Sequence, residues 1–142
     1  MIGGQAITAY SKHRTTYDLD ILLSRSSENA SKLMKIINID DKKSLRALLT
    51  QENKRLPYPS DTDKVADLFT SIERIDFAKL FANGHDAIFN GIKLKVPCVE
   101  DLILMKNIAR ETTNDLSSKK RNQFDIDELL KLIRVHSKTL TY

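Results

Sequence analysis

The sequence predicts an α/β (α+β) chain, a single domain of short strands and amphipathic helices that ends in a helical part over about 99–142. Three observations lead there. Leu19, Ile21, Leu22 and Leu23 form a short, strongly apolar run of the kind that fills a buried strand. Residues 91–97 alternate with period two, Ile92, Leu94 and Val96 against Lys93 and Lys95, as an antiparallel strand with one face on a core does. Elsewhere apolar residues recur at helical spacing: Ala30, Leu33, Met34 and Ile37, then Leu45, Leu48 and Leu49, then Leu102, Met105 and Ile108.

The elements follow in chain order. Gly3-Gly4 opens a run of helix-forming character, Gln5-Ala6-Ile7-Thr8-Ala9-Tyr10. Paired glycines admit backbone torsions closed to other residues. A helix opened in this way offers unbonded N–H groups to a phosphate, although an ordinary tight turn has the same sequence. Asp18 and Asp20 stand at the head of the first apolar run. On a strand, residues two apart share a face, so the two carboxylates would lie about 6.5–7 Å apart along the chain. A divalent cation relieves their repulsion, and Mg²⁺ prefers carboxylate oxygens shared with water and phosphate. Taken alone, such a pair is more often an exposed feature of a strand end.

Residues 24–27 read as a loop and helix cap, and residues 28–37 as a helix. Asp40-Asp41 caps a second helix over 42–50, and both helices are expected to cover the sheet. Residues 53–63, with Pro57, Pro59 and Asp61, read as a surface loop. Residues 63–69 are open between helix and strand. Next comes an apolar–acid–apolar triplet, Ile75-Asp76-Phe77. On its own Asp76 reads as a strand-edge residue paired with Arg74 or Lys79. Asn83-Gly84 and Asn90-Gly91 are turn signals. Lys93 and Lys95 read as solvated strand lysines.

A helix begins at Val99, with Glu100 and Asp101 in a first turn that favours acids. Lys106 and Arg110 are four apart, share a face and can meet one polyanion. Residues 114–122 are polar and basic. They read as a solvated loop, with an RNA-backbone contact by Lys119-Lys120-Arg121 as the alternative. The last helix is expected from near Gln123, striped by Phe124, Ile126, Leu129, Leu130, Leu132 and Ile133, and Asp125, Asp127 and Glu128 suit its first turn. His13, His85 and His136 are scattered and suggest neither zinc nor a nucleophile dyad.

Gly-Gly, a short helix, Arg14, then D-x-D on a strand resembles the signature of the nucleotidyltransferase superfamily related to DNA polymerase beta. More narrowly, G-G-x-A followed by R-x-T-x-D-L-D resembles the AbiEii-type toxin nucleotidyltransferases. The resemblance runs from Gly3 to about Leu132 and keeps the family's order of motifs. It implies a small mixed β-sheet flanked by helices. It also implies that Gly3 and Gly4 contact the nucleotide, with Arg14 beside them, and that Asp18 and Asp20 bind Mg²⁺ or Mn²⁺. Asp76 matches the family's third carboxylate, on a strand next to D-x-D, and would complete the metal site or activate the acceptor. The stretch 102–110 resembles the toxin group's L-x-x-x-K-x-x-A-x-R helix, so Lys106 would neutralise the triphosphate and Arg110 would hold the later basic position. Asp125 matches an acid that orients that helix. The chain departs from the pattern at Gln5, where many members have serine. Only Met1 and Ile2 precede the glycines, so a strand there has few residues of its own unless a partner completes the sheet.

The implied activity is transfer of a nucleoside monophosphate from an NTP to an acceptor, with RNA such as tRNA favoured. The implied role is the toxin of a toxin–antitoxin pair, with a cognate antitoxin protein as partner. The alternative is a shortened domain that binds nucleotide, RNA or protein without turnover. Composition agrees with either. No run approaches a membrane span, no signal-peptide architecture is seen, and a lone Cys98 points to a reducing cytoplasm. The net charge of +4 permits a polyanionic partner without demanding one.

Overall fold

The computed structural model describes residues 1–12, 16, 18–38, 40–60 and 62–139, with side chains as far as residue 134. In chain order the elements are α1 (Gly3–Thr8), β1 (Leu19–Leu22), α2 (Ser27–Ile36), α3 (Lys42–Thr50), β2 (Arg55–Tyr58), β3 (Ala66–Phe69), α4 (Phe77–Asn83), β4 (His85–Phe89), β5 (Ile92–Val96), α5 (Val99–Thr112) and α6 (Leu116–Thr139). The chain is mixed α+β and divides into two compact units, Asp18–Phe77, and Met1–Tyr17 with Ala78–Tyr142. Among the described residues no helix is long and apolar enough to cross a membrane.

The unit Asp18–Phe77 is built on a three-stranded mixed sheet of order β1-β3-β2. β1 runs parallel to β3, and β2 runs antiparallel to it. Parallel neighbours need a long crossover, and here that crossover carries α2 and α3. Both helices start on local chemistry. The Ser26 hydroxyl accepts from Asn29 N–H at 3.1 Å, and Asp41 accepts from Ser44 N–H at 3.0 Å and from its hydroxyl at 2.6 Å. Ala30, Ile37, Leu45 and Leu49 pack with Leu68, and Ile21, Leu56 and Tyr58 pack against that cluster. The two helices therefore cover one face of the sheet, as expected.

Two stretches differ from the sequence reading. The expected surface loop over 53–63 contains β2, because Leu56 and Tyr58 alternate onto the core while Arg55 and Pro57 take the other face. Pro57 lacks an N–H and is tolerated because β2 lies at the sheet edge. The ambiguous stretch 63–69 forms β3, with Ala66, Asp67 and Leu68 all buried.

In the other unit, Asn90 and Gly91 have φ of 48° and 78° and join β4 to β5 with a two-residue turn. Two successive positive φ values match the twist of a tight hairpin. Asp86 on β4 pairs with Lys93 at 3.1 Å and with Lys95 at 3.3 Å on β5. A Cβ added at Gly84 would stand 2.7 Å from the Val96 carbonyl oxygen, so the glycine permits the close approach between the end of α4 and β5. The short segment before the glycines is anchored to the same hairpin. The Met1 nitrogen donates to the Lys95 carbonyl at 2.8 Å, and Ile2 is buried in an isolated bridge.

α5 packs against α6 and against α1. Leu102, Met105 and Ile108 of α5, and Ile126 and Leu129 of α6, are buried. α6 begins at Leu116, well before the expected start near Gln123. The cause is a cap absent from the sequence reading. Asp115 accepts from Ser118 N–H at 2.8 Å and from its hydroxyl at 2.6 Å, which satisfies a free donor of the first turn. The polar run 116–122 is thus helical, and Lys119, Lys120 and Arg121 are exposed on it.

Candidate functional site

The expected site residues fall into both units. In the sheet unit, Asp20 lies on β1, and the parallel register pairs it with Asp67 on β3. In-register neighbours on adjacent strands point to the same side of the sheet, about 4.8 Å apart. Ile21 and Leu68, one residue on, pack into the helix-covered core, so Asp20 and Asp67 face the opposite side. Asp18 stands one residue before β1 and is exposed.

Asp76, the expected third carboxylate, is on no strand. Glu73 and Arg74 turn the chain, with φ of 62° at Arg74, and Asp76 precedes α4 directly. A positive φ at a non-glycine residue breaks an extended path, so the triplet Ile75-Asp76-Phe77 cannot continue a strand. The apolar–acid–apolar triplet that does lie beside β1 is Ala66-Asp67-Leu68. The sequence carried a signal for it: Val65, Leu68 and Phe69 give the run strand character, and Thr70 and Ser71 end it.

Asp67 is buried, at 5% exposure, and fully engaged. Arg55 grips it with a two-pronged contact, Nε to Oδ1 at 3.0 Å and Nη2 to Oδ2 at 2.9 Å. Lys64 Nζ reaches Oδ2 at 3.0 Å. The Arg55 hydrogen bond, against the opposing cost of burial and with further help from Lys64, holds the Asp67 carboxyl below its ordinary range. Charge-assisted bonds of this geometry are the strong kind. They also use the oxygens that a metal ion would need. Among the described residues, no group of three or more His, Cys, Asp or Glu side chains is placed to hold a metal. The carboxylates therefore share a face without forming a ready cage.

The helical unit holds the remaining expected residues except Arg14, which lies outside the described residues. Gly3 has φ of 68°, a torsion that favours glycine, and Gly4 is buried at the start of α1. The Gln5 side chain, where the resembled family often has serine, donates from Nε2 to the Thr16 carbonyl at 2.6 Å. Gln5 thus ties α1 to the segment that leads towards Asp18. On α5, Lys106 Nζ lies 2.9 Å from Asp125 Oδ2 of α6, with side-chain exposures of 12% and 1%. Arg110, one turn on, donates to Gln123 Oε1. Gln123 in turn donates to Asp127 at 2.9 Å. Lys106 and Asp125 are therefore in direct contact. Arg110 is engaged with a neighbouring helix position. No protein-family model matches the chain, and no curated protein matches it.

Proposed function

We propose that the chain is a nucleotidyltransferase of the polymerase-beta-like kind, moving a nucleoside monophosphate from an NTP to an acceptor hydroxyl. The observation that carries this reading is the parallel register that sets Asp20 beside Asp67 on the face of the sheet away from α2 and α3. An acid pair in D-x-D, with a third acid on the adjacent strand, is what a transfer of this type requires of its scaffold. The acceptor oxygen forms a bond to the α-phosphorus, the bond to the β-phosphate oxygen breaks, and pyrophosphate leaves. The acceptor proton passes to a carboxylate on the acidic face. In this reading Asp67 takes the place first expected for Asp76. On the resemblance alone, Gly3, Gly4 and Lys106 would serve the triphosphate, with Asp125 orienting the helix of Lys106. Catalysis is then mostly alignment and charge stabilisation.

Mg²⁺ or Mn²⁺ belongs to the proposal through the acidic pair, and would supply charge neutralisation at the phosphates. To engage Asp67 it must compete with Arg55 and Lys64. RNA such as tRNA remains the favoured acceptor and an antitoxin the expected protein partner, both on the resemblance alone. The engagement of Asp67 by two cations also favours a second reading, a domain that binds nucleotide, RNA or a protein without turnover.

Transfer of label from each α-³²P-NTP, with Mg²⁺, onto total RNA and onto soluble protein separates the two. The enzyme reading expects label with the native chain and with Asp76→Asn, and none with Asp20→Asn or Asp67→Asn. Label that survives Asp20→Asn, or its absence from every lane with folded protein, would sink that reading; the second outcome leaves the binding domain.

A further inference from the structure

We propose that the exposed face of α6 between Ser117 and Phe124 is a docking surface for a single strand of nucleic acid, with phosphates on Lys119, Lys120 and Arg121 and a base stacked on Phe124. The catalytic reading does not enter this inference. The first ground is charge. Lys119, Lys120 and Arg121 are consecutive and exposed on a capped helix, where successive side chains fan out by about 100°: Lys120 and Arg121 lie on the Phe124 side and Lys119 on its flank, so a strand crossing the helix can meet all three. Lys119 and Lys120 make no ion pair with a described residue, and Arg121 adds only a little to the Ser118 bonds that hold the cap carboxyl of Asp115 low.

The second ground is Phe124. It is 49% exposed on a helix whose neighbouring positions Asp125 and Ile126 are buried. A single exposed apolar side chain is ordinary by itself; the placement of this ring beside the cations is what matters. Helix geometry puts Phe124 four residues from Lys120 and three from Arg121, on one face and one turn away. Lys131, seven residues beyond, lies on the same side but is paired with Glu128, so the basic stretch ends at the turn of Phe124. Cations that track a backbone, with an aromatic ring one turn on, are the elements of a single-strand site, where base stacking adds to phosphate neutralisation. A duplex keeps its bases stacked and cannot use the ring. The other occupants of a basic face, a duplex or an acidic peptide, would use the cations alone.

The test is fluorescence anisotropy of the full chain with a labelled oligouridine 15-mer, across a salt series. Three phosphate contacts predict a slope of log affinity against log salt of about −2. Phe124→Ala should weaken binding roughly tenfold or more with the slope kept. Lys119→Ala/Lys120→Ala/Arg121→Ala should flatten the slope. A charge-matched control, Lys35→Ala/Lys43→Ala/Lys54→Ala, should do neither. All these positions are exposed, and circular dichroism checks that each variant is folded. Equal affinity for a duplex of the same length, equal affinity for an oligoglutamate peptide, or binding untouched by Phe124→Ala would each overturn the proposal. The same loss in the control triple would reduce it to attraction by net charge.

Discussion

Two buried aspartates, one in each unit, meet the same problem with different partners. Asp67 in the sheet is held by Arg55 and Lys64, whose side chains are 56% and 32% exposed. Asp125 in the helical pair is held by Lys106, which is 12% exposed. An ion pair whose cations reach solvent can exchange one cation for another, because water and salt accept the released cation while the carboxylate takes its new partner. A pair sealed on both sides cannot, because parting it leaves an uncompensated charge in the interior. Burial of the carboxylate is therefore a poor guide to its role; the exposure of its cation is the better one. On that ground Asp67 is the acid that can change ligands, and Asp125 is the one that fixes a lysine in place.

The largest expected effect tests the sealed pair. Lys106→Met keeps most of the aliphatic stem and removes the cation 2.9 Å from Asp125. A loss of about 3–5 kcal/mol is expected in urea unfolding. The double variant Lys106→Met/Asp125→Leu should recover most of it, since burying neither charge is close to neutral. A single variant as stable as the native chain would show that the pair is not sealed. Asp67→Asn comes next. It keeps the shape but loses charge-assisted bonds to Arg55 and Lys64, at a cost of about 2 kcal/mol.

Acid should reveal the same contact. Arg55 holds the Asp67 carboxyl below its usual value, so its contribution is complete above the unfolded aspartate value of about 3.9. It is lost as the pH falls through the lower, folded value. The urea midpoint of the native chain should therefore drop more steeply below about pH 4 than that of Asp67→Asn. Parallel acid limbs would remove Asp67 from the comparison. A smaller effect sharpens it. If Arg55 and Lys64 compete with a divalent ion, Arg55→Ala/Lys64→Ala should bind Mn²⁺ more tightly than the native chain by isothermal titration. Asp20→Asn in that background should abolish the gain. The smallest effect is local: Ser26→Ala removes the cap of α2 at a cost of about 1 kcal/mol.

Much of the local structure was legible in the residues. Asp41 caps α3, Asn90-Gly91 closes the β4–β5 hairpin, and α5 starts at Val99, because each is decided by contacts a few residues apart. The start of α6 was equally local and was missed, because the cap lies in a polar stretch whose composition alone suggests a loop. The resemblance implied only that Asp125 orients the helix of Lys106; that the two side chains meet is a result of the α5–α6 packing. The neighbour of Asp20 was another matter. Three apolar–acid–apolar triplets follow D-x-D, at Asp67, Asp76 and Asp125, and nothing within any of them says which lies beside β1.

By itself, then, the sequence determined the mixed class, the caps of α2 and α3, the β4–β5 turn and the helical character of the C-terminal part, since short-range geometry and periodicity decide them. Only the tertiary structure decided that Asp67 is the neighbour of Asp20 and that Arg55 and Lys64 hold it. The reason is physical. Parallel pairing joins residues far apart in the chain through a crossover, so its register is set by how α2 and α3 pack on the sheet. A positive φ at Arg74 turns the second triplet off any strand.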